Sequence, residues 1–217
     1  MNALSDILVL LLVLTNIRLL ATSRLLVAIQ TLAYQALLLS IILLAESFGH
    51  WTTQLLALAL VTLVLKGVFM PWLMRRAMRQ ADVRREVEPF VGFSASVLIG
   101  AVLLGLCFTV TAPMKASVPT RATLLMPAAM FASLCGLLVI ITRKKALMQV
   151  VGYVALENGI YAFGAALAVD APMLVELGVL LDVFVAVFVM GIAVNHISRE
   201  FDHIDTDRLS QLKDSPL

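Results

Sequence analysis

The sequence predicts an all-α integral membrane protein, a bundle of about seven transmembrane helices, and three observations point to that fold class. Of the 217 residues, 61% are hydrophobic and only 14% are charged, with a mean hydropathy of +1.01. A soluble domain of this length carries far more charge. The apolar residues gather in runs of about twenty, enough to cross a hydrocarbon core of roughly 30 Å at about 1.5 Å per residue. The basic residues, finally, are sorted by loop, so the net charge of +2 carries no sign of nucleic-acid binding.

Taken in order, the candidate spans run from Leu4 to Leu20, Leu25 to Ala45, Thr52 to Met74, Phe90 to Thr111, Arg121 to Thr142, Ala146 to Val169 and Pro172 to Ile197. Residues 1–197 form one transmembrane domain on this reading, and residues 198–217 form a polar tail outside the bilayer. The first span could pass for a signal peptide because "ATS" imitates a cleavage site. The opening "MNALSD" lacks the positive n-region of such a peptide, so the segment is expected to be a retained helix. Cys107 and Cys135 each lie within an apolar run with no CxxC partner, which fits small buried residues better than a disulfide or metal site.

Orientation follows from the basic residues near the span ends. One side collects Arg18, Arg24, Arg75, Arg76, Arg79, Arg84, Arg85, Arg143, Lys144, Lys145, Arg199, Arg208 and Lys213, whereas the other has only Lys115 and Arg121. The positive-inside rule then places the N-terminus outside and the C-terminal tail in the cytoplasm, which an odd number of spans requires.

Lys66, Glu157, Glu176 and Asp182 remain at membrane depth. A charge at a helix centre costs roughly 2.5 to 3.5 kcal/mol on insertion scales, so such residues face a protein interior or a water cavity. Glu157 lies about 16 Å in from the cytoplasmic end of the sixth span, and Asp182 about 15 Å in from the outer end of the seventh. Both carboxylates therefore reach the midplane on consecutive antiparallel helices. Glu176 is only about 6 Å from its helix end and can reach outer water. Lys66 sits about 10 Å from the cytoplasmic end of the third span, where snorkelling could rescue it.

Gln149, Tyr153, Glu157 and Tyr161 recur every four residues and form one polar stripe along the sixth span. Ala155 and Gly159 offer a small-xxx-small approach for another helix. On the seventh span Asp182, Val189 and His196 share a face, with His196 near the cytoplasmic mouth. Interhelical hydrogen bonding accounts for Gln149 and the tyrosines taken alone, but the Glu157 and Asp182 pair points to function. In "LVLKGVFMPWLM" Pro71 cannot donate to the carbonyl of Gly67, so a kink is expected close to Lys66. Broken membrane helices often mark ion paths. At an offset of 119 residues Arg24 falls on Arg143, Gln30 on Gln149 and Tyr34 on Tyr153, a weak echo of a parallel repeat to which the acids do not belong.

No Walker A loop, dinucleotide fingerprint or HExxH is present, and His50, His196 and His203 are too dispersed for haem ligation. From its residues alone the chain is a proton-conducting or ion-coupled membrane subunit without redox chemistry of its own.

The blocks "GYVALENGIYAFGAAL" and "APMLVELGVLLDVFVAVFVMGIAV", followed by "DTDRLSQLKD", resemble the hydrogenase-4 component E family of formate-hydrogenlyase-type complexes. The likeness covers nearly the whole chain, including "LVLKGVFMP". Residues 146–197 in turn resemble a helix pair of the K-type subunit of respiratory complex I, and the last three helices resemble the MrpC subunit of cation/proton antiporters. The K-type subunit carries a glutamate in each of its last two helices, on a proton or charge path. Glu157 stands where the first would be, and at the second place Asp182 is one methylene shorter. MrpC-like proteins need not keep these acids, which favours the complex-I-like role.

The resemblance implies a non-redox membrane-arm subunit in the bacterial cytoplasmic membrane, with no cofactor of its own. Its partners would be antiporter-like and membrane-anchor subunits and a peripheral arm holding a [NiFe] site and iron-sulfur clusters. The expected proton path comprises Glu157, Asp182, Lys66, Tyr153, Gln149 and His196. Two buried acids cannot readily both ionise in a low dielectric, so one proton is taken up as another leaves. Loading would run from the cytoplasm along Gln149 and Tyr153, with water completing the path. The competing expectation is a purely structural subunit between larger neighbours. An independent small transporter ranks last, because seven leucine-rich helices with short loops offer no evident substrate site.

Overall fold

The computed structural model describes residues 3–46, 59–60, 63–80, 89–113, 124–166 and 184–191. Among these residues helix is the only regular structure, as a bilayer demands of a chain whose backbone groups must satisfy one another without water. In order they form α1 (Ala3–Ala21), α2 (Leu25–Glu46), a π-helical turn (Leu63–Phe69) running directly into α3 (Met70–Gln80), α4 (Phe93–Thr111), α5 (Leu125–Thr142), α6 (Ala146–Ala166) and α7 (184–191). Each falls within or overlaps one predicted span. The stretches Leu4–Ala21, Leu25–Ile42, Phe93–Thr111 and Leu125–Thr142 are long and apolar enough to cross a membrane. With 21 residues α6 is as long as these, but Gln149, Glu157 and Asn158 interrupt its apolar surface. Most of the seventh span, including Glu176, Asp182 and His196, lies outside the described residues.

The third span departs from expectation in two ways. Its helix continues past Met74 to Gln80, carrying Arg75, Arg76 and Arg79. The irregularity imposed by Pro71 takes the form of the π-helical turn just before it, so Pro71 lies in the first turn of α3. There its missing N–H costs little, since the first N–H groups of an α-helix have no intrahelical partner. A π turn within a helix is rare and frequently sits at a functional position. Lys66 lies inside it.

Packing is tightest between α5 and α6, the most extensive pairing in the structure. Glycines set it, at Gly152 and Gly159, and Ala155 between them is fully buried. A Cβ at Gly152 would lie 2.8 Å from the Gly136 carbonyl oxygen and 2.8 Å from the Ile140 nitrogen, and one at Gly159 would overlap Ser133. Close backbone approach of this kind drives helix association where lipid offers no hydrophobic contrast. The α1–α2 hairpin packs on this pair, with α1 against α5 and α2 against α6, while the π turn packs on α2. Leu12, Leu19, Leu20, Ile29, Leu32, Phe131 and Met148 fill the space between them and are essentially inaccessible. By contrast α4 lies at the periphery, with Leu98, Val102 and Val110 exposed as a lipid-facing surface would require.

Candidate functional site

Two polar assemblies lie inside the bundle, and α6 contributes to both. The first joins the π turn to α6. Lys66 Nζ donates to Glu157 Oε1 at 2.5 Å, and both residues are buried, at 6% and 5% exposure. The lysine therefore does not snorkel toward the end of its span, because its ammonium is held by a carboxylate within the protein. Tyr161, one helical turn beyond Glu157, sets its ring 5.9 Å from the same nitrogen. Lys66 and the upper half of the α6 stripe thus belong to one cluster.

The lower half of the stripe faces elsewhere. Gln149 Nε2 donates to the backbone carbonyl of Arg143 at 3.0 Å, securing the turn between α5 and α6. With Tyr153, Ile140, Val150, Phe184, Val185 and Phe188 it lines a groove of about 350 Å³ between α5, α6 and α7. The four stripe residues do share a side of α6, but they serve two surroundings. Of the six residues expected on a proton path, the structure brings Lys66 and Glu157 into contact and places Gln149 and Tyr153 on this groove; Asp182 and His196 fall outside the described residues.

The second assembly consists of carboxamides, which sequence reasoning passed over because none can ionise. Asn16 Nδ2 donates to the Leu12 carbonyl at 2.9 Å, Gln35 Nε2 to Asn16 Oδ1 at 3.2 Å, and Asn158 Nδ2 to Gln35 Oε1 at 3.4 Å. All three residues are at least 98% buried, on α1, α2 and α6. Their only trace in the sequence is an uncharged polar residue inside an apolar span, at "LTNIRLL", "AYQALLL" and "LENG". The two assemblies meet at one level. Gln35–Ala36, Lys66–Gly67 and Glu157–Asn158 are consecutive pairs on three facing elements. Gln35 bonds Asn158, Lys66 bonds Glu157, and a Cβ at Gly67 would lie 3.8 Å from Ala36 Cβ.

Arg143, counted above among the basic residues near the span ends, is fully buried. Its Nη2 donates to the Leu20 carbonyl at 2.8 Å, its Nη1 to the Val91 carbonyl at 3.2 Å, and its guanidinium lies 4.3 Å from the Phe93 ring centre. The Leu20 carbonyl is among the last four of α1 and has no partner within that helix. Arg143 thereby ties the end of α1 to the start of α4, a role that needs the planar fork of an arginine. Its repeat-related counterpart Arg24 is exposed.

Among the described residues no three His, Cys, Asp or Glu side chains gather where a metal ion could sit. Cys107 and Cys135 are both free and buried. An all-helical bundle with lipid-facing flanks, a buried lysine–glutamate pair and a neutral amide chain defines a polytopic membrane protein built around an internal polar site. The chain belongs to the hydrogenase-4 component E family. It is 31% identical over 181 residues to hydrogenase-4 component E of Escherichia coli K12, covering 83% of this chain and 84% of that one. It is also 35% identical over 187 residues to an uncharacterized protein of Mycobacterium tuberculosis, covering 86% and 85% respectively. No family model and no solved structure matches the chain.

Proposed function

We propose that this protein is a non-redox membrane-arm subunit of a hydrogenase-type assembly and that its intramembrane charges take part in proton translocation. Its family membership supports the place in the assembly, because the relative is named as a component of hydrogenase-4. The observation that carries the proton role is the Lys66–Glu157 pair, buried inside the bundle at a π turn. A pair so placed holds a carboxylate, a group able to bind and release a proton, beside a fixed cation inside the bundle. Gln149 and Tyr153 lie on the same side of α6 toward the basic end of the helix, on the groove beside α7. Glu157 does not line that groove, so water between Tyr153 and Glu157, one helical turn apart, would complete the connection.

The orientation in this proposal has the N-terminus outside and the tail in the cytoplasm of a bacterial inner membrane. Exposed Arg24, Arg75, Arg76, Arg79, Lys144 and Lys145 supply the positive side. Asp182 and His196 extend the path along the seventh span. Antiporter-like and anchor subunits adjoin the bundle, the catalytic metals reside on other chains, and no cofactor is assigned to this one.

The test is Glu157→Gln in the complete complex. The complex should assemble, while proton translocation per turnover falls at least several-fold. Normal coupling in an assembled complex carrying that substitution overturns the proton role. Loss of assembly and activity together would favour a purely structural subunit.

A further inference from the structure

The carboxamide chain has a direction, and one backbone group fixes it. A carbonyl only accepts hydrogen bonds, so at Leu12 Asn16 must present its Nδ2, which turns its Oδ1 to Gln35. Gln35 must then answer with Nε2 and turn Oε1 to Asn158, which must answer with Nδ2. Every amide orientation follows from that first contact. The chain therefore ends on Asn158 Oδ1, an acceptor with no hydrogen-bond partner on a residue that is 2% exposed. An acceptor buried without a donor costs about 1–3 kcal/mol.

A surplus donor stands on the neighbouring residue's partner. The Lys66 ammonium carries three N–H groups. One is given to Glu157 Oε1, and the Tyr161 ring lies 5.9 Å from the same nitrogen. Glu157 and Asn158 are adjacent in α6, so the nitrogen with a spare N–H and the oxygen that needs one lie at one level of the bundle. No direct bond joins them. A molecule that accepts from one and donates to the other completes both, and water is the smallest that does so.

We propose that a bound water bridges Lys66 Nζ to Asn158 Oδ1 and joins the ion pair to the carboxamide chain as a single site. The water gives the ammonium a second, neutral acceptor, one that does not change when the Glu157 carboxylate takes up a proton. Asn16 and Gln35 are positioning residues that hold Asn158 in the orientation the water requires. This functional consequence rests on the proton role proposed above, whereas the water itself does not.

The experiment is a map of the intact wild-type complex at a resolution that shows ordered water, paired with assembly yields of Asn158→Leu, Glu157→Leu and the double variant. Density within hydrogen-bond reach of both Nζ and Oδ1 is expected. A double variant assembling at least tenfold less than the product of the single effects is also expected, because Lys66 then loses both acceptors. An empty gap, a direct Lys66–Asn158 bond, or strictly multiplicative yields overturns the proposal. Proton translocation by Glu157→Gln reads the other reading separately: a bridging water in a complex whose Glu157→Gln form couples normally would leave the site and remove its role.

Discussion

Lys66→Met isolates what the ion pair contributes. Both partners are about 95% buried, so solvent screens their attraction little. Removing one partner of a buried pair leaves an uncompensated charge and costs about 3–5 kcal/mol. If the orphaned Glu157 takes up a proton, the cost falls toward that of an unmade buried hydrogen bond, about 1–3 kcal/mol. Glu157→Leu leaves the ammonium inside the bundle and belongs at the upper end. Lys66→Met combined with Glu157→Leu removes both charges and fills their volume with apolar atoms, a replacement that is often neutral or stabilising. The double variant should therefore approach wild-type stability, with a coupling energy of about 2–4 kcal/mol. The assay is the unfolding temperature and yield of the intact complex for all four forms, with proton translocation measured on those that assemble. The double variant should assemble and fail to translocate, which a purely structural pair would not do. Additive losses in stability would show that the two residues do not interact in the membrane and would refute the reasoning.

Three further outcomes follow from the same geometry. Gly152→Val must push α5 from α6, since its Cβ would meet the Gly136 oxygen and Ile140 nitrogen, both backbone atoms; yield in the membrane should collapse, while Gly105→Ala, with nothing within 4 Å, should be silent. Arg143→Lys keeps the charge but loses the two-carbonyl fork, and protease protection of the α1–α4 contact should weaken by about 1–3 kcal/mol, with Arg79→Gln, exposed on α3, as an unaffected control. Ser210→Cys in the tail should react with an impermeant thiol reagent only from the cytoplasmic face, and reaction from the outer face in sealed cells would reverse the orientation; Cys107 and Cys135 are buried and will not compete.

The fold was legible where a physical constraint acts along the chain. Hydropathy and length placed every described helix, because a bilayer imposes both on consecutive residues. Pro71 marked the place where the third span becomes irregular, although not the π form that the irregularity takes. The site was legible only in part, and the reason is directional. Depth is additive along a helix, so counting residues found Glu157. Azimuth between helices depends on crossing angles that no single segment encodes, so Lys66 could be placed with Glu157 on one path but not paired with it directly, as it is across 91 positions of sequence. The tie made by Arg143 was illegible for the same reason: a basic residue at a span end and a clasp between elements look alike until α1 and α4 are placed beside it.

Attention to ionisable residues also hid Asn16, Gln35 and Asn158, yet these show why a membrane interior tolerates the charges beside them. An unpaired ammonium or carboxylate there is costly, and a single ion pair is a fragile remedy because it fails whenever one partner changes protonation. The water proposed above would give the lysine a neutral acceptor as well. If Glu157 gains and loses a proton during turnover, it offers Lys66 only a neutral carbonyl for part of the cycle, and an acceptor that does not titrate offsets that loss. The amide chain, anchored on a backbone carbonyl that cannot titrate, ends with its open acceptor on the residue next to Glu157. A pair serving only to pin two helices together would need no such second acceptor.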